Sequence, residues 1–299
     1  MWALRSTEGS NPSLSADAGR RRAAATAPGH DGEVLSSAAV ALALAAHTPV
    51  VAHDSRERSP LTSVAAAPTA VPGLDRNRRA AVYGRATPAA GGGTWLQYWM
   101  FFAANDQDRG IVRSGRHAGD WEMVQVRIGA RGRPDQVVYA QHSGAERCGW
   151  GQVRRRGPLR PVVYVANDSH AAYLRPGVRD RTWPDPNDEA DGRGRAITPR
   201  LVTISETSPR WMRWTGRWGG AQAHWWNPYE QDSPVGPAFQ GQGRWSDPDG
   251  WARDARSCRS DCDALGECDW RENTLGGGGL GALGLAVAAW LRRRRRRRP

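Results

Sequence analysis

The residues best suited to chemistry in this chain are His117, Asp120 and Glu122, spaced as His-x-x-Asp-x-Glu in HAGDWE and followed by the alternating run Met123-Val124-Gln125-Val126-Arg127-Ile128. On a β-strand successive side chains point to opposite faces, so Asp120 and Glu122 share a face with Val124, Val126 and Ile128. Two carboxylates in line with core residues repel each other unless a proton, an arginine or a metal cation neutralises them. Carboxylate oxygens with a neighbouring imidazole form a donor set that divalent metals accept. The array predicts a cation site, with calcium or magnesium favoured by the oxygen-rich ligands and zinc as the remaining option.

Further polar groups stand just past apolar runs. Gln141-His142-Ser143-Gly144 follows one, and Asn167-Asp168-Ser169-His170-Ala171-Ala172-Tyr173 follows another. His142 and His170 are thereby candidate metal ligands, and Ser143, Ser169 and Trp121 are candidate substrate contacts. Asp185, Asp188, Glu189 and Asp191-Gly192 form an acidic segment of the kind that supplies oxygens to calcium, with Asp188 and Asp191 its candidate substrate contacts. Loops at strand ends are where rigid scaffolds carry their sites. Each group also has a plainer role open to it: a turn cap for His142, a helical N-cap for Asp168 or Ser169, a solvated turn for the acidic segment.

The elements that must position these groups are short strands. Residues 95–102, 121–128, 136–142, 161–166 and 201–204 are β-branched or aromatic and bounded by Gly, Pro, Asn or Asp, and no long helical period separates them. The expected fold is all-β or β-rich, a two-sheet β-sandwich with long loops. No Gly-x-Gly-x-x-Gly or Walker loop is present. Composition sets the boundaries. Residues 1 to about 90 are rich in Ala, Ser, Pro, Gly and Arg with almost no aromatics, which predicts disorder for most of that segment. The expected organisation is a signal-like segment and linker over 1–81, the sandwich over 82–250, a Cys-containing linker over 251–274, and a Gly-rich apolar helix with an Arg-rich tail over 275–299.

A formal net charge of +12 invites a nucleic-acid reading, but seven of those charges are Arg292 to Arg298, which leaves +5 for the rest of the chain. No specific nucleic-acid partner is expected. The apolar stretch VLSSAAVALALAA (34–46) follows Arg20-Arg21-Arg22 and precedes small residues around Ala52, the order of an export signal. Four cysteines, all beyond Ala145, fit an exported chain. The spacing Cys258-x3-Cys262-x5-Cys268 is not a zinc spacing and favours a disulfide within that triplet. The apolar run 280–291 before the Arg run resembles the C-terminal sorting signals of the myxobacterial type, which implies a cell-surface or secreted protein whose membrane tail is processed.

Read in order, LQYWMFFAAND, HAGDWEMVQVRI, VVYAQHSG, RPVVYVANDSHAAY, WTGRWGG and SPVGPAFQGQGRW resemble the vacuolar protein sorting-associated protein 62 family over about residues 94–250. A more distant resemblance is to the necrosis- and ethylene-inducing peptide-like proteins, whose Gly-His-Arg-His-Asp-Trp-Glu motif sits on a β-sandwich. It implies that His117, Asp120 and Glu122 help hold a divalent cation. It implies also an upstream acid, for which Asp106 and Asp108 are the nearby candidates. The motif's leading Gly and second His are here Arg116 and Gly119. Three function classes follow. The first is an exported, cation-binding sandwich that recognises a glycan or lipid headgroup, with Trp211, Trp214 and Trp218 stacking on it or packing in the core. The second is a metal-assisted hydrolase with His142 or His170 as general base. The third is a structural surface module whose acids are neutralised by Arg116 or another Arg.

Overall fold

Strand-forming runs dominate the computed structural model, which describes residues 36–107, 115–179, 181, 185–224 and 231–258. A helix, α1 (Ser37–Ala46), leads into β1 (Val50–His53), β2 (Ala81–Pro88), β3 (Gly93–Asn105), β4 (His117–Gly129), β5 (Pro134–Gln141) and β6 (Gly144–Gly149). Then come β7 (Arg155–Arg156), β8 (Arg160–Val165), β9 (Ala172–Tyr173), β10 (Gly177–Arg179), β11 (Asp188–Ala190), β12 (Ala196–Ile197) and β13 (Arg200–Thr203). The described chain closes with α2 (Pro248–Asp254) and β14 (Arg256–Ser257).

Two mixed sheets result. The larger has the order β13-β2-β3-β4-β5-β6-β14, antiparallel through β2 to β6 and finished at each edge by a parallel strand. The smaller has the order β12-β1-β8-β7, with β9 also on β8 and with β1 and β8 parallel; β10 and β11 form a separate ribbon. Leu96, Tyr98, Met100 and Phe102 of β3, with Val124, Val126 and Ile128 of β4, pack against Val51, Val163 and Val165 of the smaller sheet. The opposite face of the large sheet carries Trp95, Trp99, Phe101, Trp121 and Met123, covered by Trp211, Trp218, Trp245 and Trp251. Burial on both faces explains why WLQYWMFF reads as a continuous apolar run. Of two glutamines in that core, Gln97 donates through Nε2 to Gln125 Oε1 across the strands at 2.9 Å, and Gln97 Oε1 has no hydrogen-bond partner among the described residues.

The sandwich begins before the expected boundary at residue 82. Val50, Val51, Ala52 and His53 are all buried, and β1 pairs with both β8 and β12. His53 accepts from the Leu61 amide at Nε2 (3.0 Å), and the Tyr98 hydroxyl donates to the Leu44 carbonyl (3.0 Å), so segment 44–61 is bonded into the core. The four-residue strand VVAH was concealed by the Ala- and Pro-rich composition around it. Cleavage near Ala52 would divide β1. The disulfide also differs from expectation: Cys148 of β6 is bonded to Cys258, beside the parallel β6–β14 pairing, not within the triplet. Residues 1–35, Cys262, Cys268 and the tail to 299 lie outside the described residues. No helix among the described residues is long and apolar enough to cross a membrane.

A chain starting at residue 82 is expected to lose cooperative unfolding and near-ultraviolet circular dichroism, whereas one starting at residue 36 retains both. In the full chain, Leu96→Ala should cost about 2–5 kcal/mol in denaturant unfolding, because its side chain is fully buried between the sheets.

Candidate functional site

The β3–β4 hairpin places the acids. Its register sets Glu122 opposite Met100, Asp120 opposite Phe102 and His117 opposite Asn105, so Asp120 and Glu122 lie on the face that meets the smaller sheet, at one end of β4. Both side chains are buried. Gly119 has φ +71°, and a Cβ there would lie 2.9 Å from the Trp218 carbonyl carbon. Glycine is therefore required where the necrosis-inducing motif has its second histidine.

Asp120 is held from behind. Its Oδ2 accepts from His170 Nδ1 at 2.9 Å and from Asn105 Nδ2 at 3.1 Å. The His170 ring stacks flat on Phe102 with centroids 3.9 Å apart, and its Nε2 lies 3.5 Å from Glu57 Oε1. Glu57 is fixed in turn by the amides of Ser59 (2.7 Å) and Asp168 (3.1 Å). Burial alone would lower the His170 pKa, but the bonds and charges of Asp120 and Glu57 outweigh it and push it up to about 9. The imidazolium in turn keeps Asp120 below its usual value against the effect of burial. Glu122 has no such support. Its Oε2 is buried with no hydrogen-bond partner among the described residues, and burial, followed by the Asp120 charge, raises its pKa well above the ordinary carboxylate value.

His170 is thus the imidazole that reaches the carboxylates, while the other candidates go elsewhere. His117 is half-buried with Nδ1 2.8 Å from the Gly119 carbonyl, close enough for its charge to act on Asp120. His142 Nε2 bonds Asp188 Oδ2 at 2.6 Å. Asp188 also accepts from Ser169 Oγ and the Tyr173 hydroxyl, each at 2.6 Å, so its carboxylate is directed at these donors. Asp191 is bonded by the Ser55 amide at 2.8 Å, Asp185 by Arg181 at 3.0 Å, and Glu189 by Arg56 at 2.6 Å. Asp106 faces Arg116 at 3.7 Å, and Asn105 takes the place beside Asp120 that Asp106 was expected to fill. Trp121 points to the opposite face and is buried in an edge-to-face cluster with Trp218, so it offers no ligand surface; Trp211 and Trp218 are core residues too. Ser143 is exposed at the β5–β6 turn.

Three residues escaped the sequence reading: Asn105, Glu57 and Arg244. The hairpin register was the available signal for Asn105, whereas Glu57 and Arg244 reach the site only through long-range packing. Arg244 is buried, donates to the His142 carbonyl, and acts by charge on Glu122 and Asp120. All four non-glycine residues with positive φ among the described residues border this site or carry Arg244: His142 (50°), Asp168 (62°), His170 (57°) and Gln242 (58°). Such backbone costs about 1–3 kcal/mol per residue and persists only where the surroundings enforce it.

Residues 77–181 match the family model described as Vacuolar protein sorting-associated protein 62, a span that includes HAGDWE and NDSHAAY but stops before WTGRWGG. No curated protein is matched in sequence. Among solved structures, the chain is similar to one described as a toxin fold for microbial attack and plant defense, at 17% identity over 55% of this chain and 74% of that one, with a TM-score of 0.36. It is similar also to Necrosis and Ethylene inducing Protein 2 from the causal agent of cocoa's Witches Broom disease (15%; 54% and 72%; TM-score 0.34). A third is NLPPya in complex with mannosamine (15%; 55% and 72%; TM-score 0.34).

The Asp188 knot gives a test of what holds these loops. Burial opposes the Asp188 charge, but the bonds from His142, Ser169 and Tyr173 prevail and depress its pKa. A depressed carboxylate stabilises the fold above its unfolded pKa of about 3.9, and that stability is lost as pH falls through the folded value. Asp188→Asn should cost about 3–5 kcal/mol at pH 7, and the difference from the wild type should shrink as the pH approaches 3, measured by urea unfolding across that range.

Proposed function

We propose that this chain is an exported β-sandwich binding module that holds a divalent cation at Asp120 and Glu122, with His117 as a third donor, and recognises a glycan or lipid headgroup through it. The observation that carries the reading is the buried, unpartnered Oε2 of Glu122 beside a second buried carboxylate. A buried acceptor of that kind calls for a proton or a cation. Asp120 suits the role, since its two protein bonds both go to Oδ2.

The donor chemistry narrows the ion. Among the described residues, the group whose metal-capable atoms all lie within 4.8 Å of one another is Glu146, Cys148 and Cys258, where both sulfurs are in the disulfide. The atoms of His117, Asp120 and Glu122 are more widely spread. Zinc and magnesium hold their ligands at about 2.0–2.2 Å and calcium at about 2.3–2.6 Å, so the three side chains would close on any of these ions on binding, and it is the oxygen-rich donor set that favours calcium or magnesium. A hard cation held by few protein ligands has positions left for hydroxyl or phosphate oxygens, the groups that glycans and lipid headgroups present. The Cys148–Cys258 bond fits an oxidising compartment. In this reading the apolar segment 280–291 with Arg292 to Arg298 is a membrane tail removed by processing.

Binding is favoured over hydrolysis by the bonding of the candidate bases. His170 is held between two carboxylates with its pKa pushed up to about 9, so it keeps its proton near neutral pH, and Ser169 donates to Asp188 rather than to an imidazole. A nucleophile needs a base in contact with it.

Isothermal titration of the wild type with Ca2+, Mg2+ and Zn2+ tests the proposal. Asp120→Asn and Glu122→Gln should each weaken Ca2+ or Mg2+ binding by about two orders of magnitude. No binding in the wild type, together with a gain in stability for Glu122→Gln, would leave the acids as a purely structural feature.

A further inference from the structure

The end of the sandwich away from the carboxylates carries a basic surface. β1 and β8 run parallel, with Val50 beside Val162 and His53 beside Val165. The starts of both strands therefore share one end, and Glu57 and His170, which follow them, lie at the other. The β7–β8 hairpin closes at the first end, where Arg156 pairs with Arg160 across the turn. Gly149 of β6, shortly before that hairpin, pairs with Gln136 of β5, which sets the β4–β5 turn at the same end. Arg131 and Arg133 of that turn and Arg154, Arg155 and Arg156 of the hairpin are exposed. None of these forms an ion pair with an acid among the described residues. The neighbouring acids are engaged elsewhere: Asp135 by Arg127 at 2.9 Å, and Asp249 by the Ala90 amide and the Trp95 indole, each at 2.8 Å. Around the carboxylate site, in contrast, arginines are paired with acids: Arg56 with Asp54 and Glu189, Arg58 with Asp168, and Arg116 with Asp106.

An uncharged helix adjoins the basic end. α1 reads SAAVALALAA; Leu44 is fully buried, while Ala38, Ala41, Leu42 and Ala45 are exposed. Leu42, at 72%, is the more exposed of the two large apolar side chains left in water among the described residues. Trp150 ties the helix to the hairpin. The ring of His47, which ends α1, meets the Trp150 ring edge-on at 6.0 Å. The Arg155 guanidinium lies 5.4 Å from the same ring and donates to the Trp150 carbonyl at 2.7 Å. Unpaired arginines suit an anionic partner, and an apolar helix beside them suits a bilayer better than a soluble polyanion, because a bilayer offers hydrocarbon next to its acidic headgroups. We propose that this end of the sandwich docks on an anionic lipid bilayer, with Arg131, Arg133, Arg154, Arg155 and Arg156 at the headgroups and the outer face of α1 entering the interface. Docking of this kind needs no divalent ion, since the Asp120–Glu122 pair, bonded to His170, lies at the opposite end and is turned away from the bilayer.

Arginine-selective modification of the full chain with phenylglyoxal in EDTA, read by peptide mass spectrometry, tests this. Vesicles of equal parts phosphatidylcholine and phosphatidylserine should slow modification at Arg131, Arg133, Arg154, Arg155 and Arg156 by about tenfold. The internal control is Arg76, Arg78 and Arg79, exposed just before β2, whose start lies at the carboxylate end; their rates should not change. Because the tail Arg292 to Arg298 is present in every protein compared, the footprint locates the docking surface whatever the tail adds to total binding. Phosphatidylcholine alone, or the charged vesicles in high salt, should give no protection. Arg154→Gln/Arg155→Gln/Arg156→Gln should raise the vesicle concentration that half-protects Arg131 and Arg133 by about tenfold. Leu42→Ser should weaken protection by vesicles and leave protection by heparin unchanged. Arginines that react equally with and without charged vesicles overturn the docking and leave the cation reading standing. Protection that appears only on adding Ca2+ also overturns it, and assigns the lipid to the carboxylates. Protection that heparin matches and Leu42→Ser leaves intact makes the surface a site for soluble polyanions instead.

Discussion

A single buried charge triad organises the end of this sandwich. His170 can sit unexposed between Asp120 and Glu57 only as an imidazolium, and each carboxylate can be buried there only because the imidazolium is present. Removing any one of the three strands the others without compensation, the situation in which buried ion pairs are most expensive to break. Three distant stretches of chain are joined by this triad: the segment after β1, the end of β4, and the loop after β8. Phe102 provides the flat surface on which the ring lies, which is why an aromatic stands opposite Asp120 across the hairpin. Much of the strained backbone follows from the same requirement, since residues 168 and 170 adopt left-handed conformations to bring Ser169 onto Asp188 and His170 onto Asp120.

Against that fixed unit, Glu122 stands out as the unresolved charge. Asp120 is neutralised, oriented and doubly bonded, whereas Glu122 depends on something brought to it. The site therefore has a rigid half and a responsive half two residues apart on one strand. Such a division suits binding, because preorganised ligands reduce the cost of association while one adjustable group accommodates the arriving species.

The scaffold was largely legible in the sequence, and its completion was not. Period-two alternation in DWEMVQVRI was enough to put both acids on one face with Val124, Val126 and Ile128, because strand geometry is local. His170 was identifiable as a candidate because it follows an apolar strand in a turn-forming context. Glu57 was not, since it sits four residues beyond a strand only four residues long, in a region whose average composition predicts disorder. Partner choice was the harder problem. His142 and His170 occupy similar positions after strands β5 and β8, yet one turns to Asp188 and the other to Asp120, a difference decided by packing between sheets. The tryptophans show the same limit: a period places Trp121 opposite the acids, but only the folded chain reveals that Trp211 and Trp218 cover it.

The covalent link between Cys148 and Cys258 has a mechanical consequence. Strand β14 has two residues and pairs only with the edge of β6, so alone it would peel away under modest tension. With the sulfur bridge one residue beyond it, force applied to the chain after residue 258 travels straight into β6 and is spread as shear across the seven-stranded sheet. Helix α2 and the loop carrying Arg244 are bypassed by that path. The domain can be pulled from its C-terminal side without disturbing the loop that packs on its tryptophan-covered face.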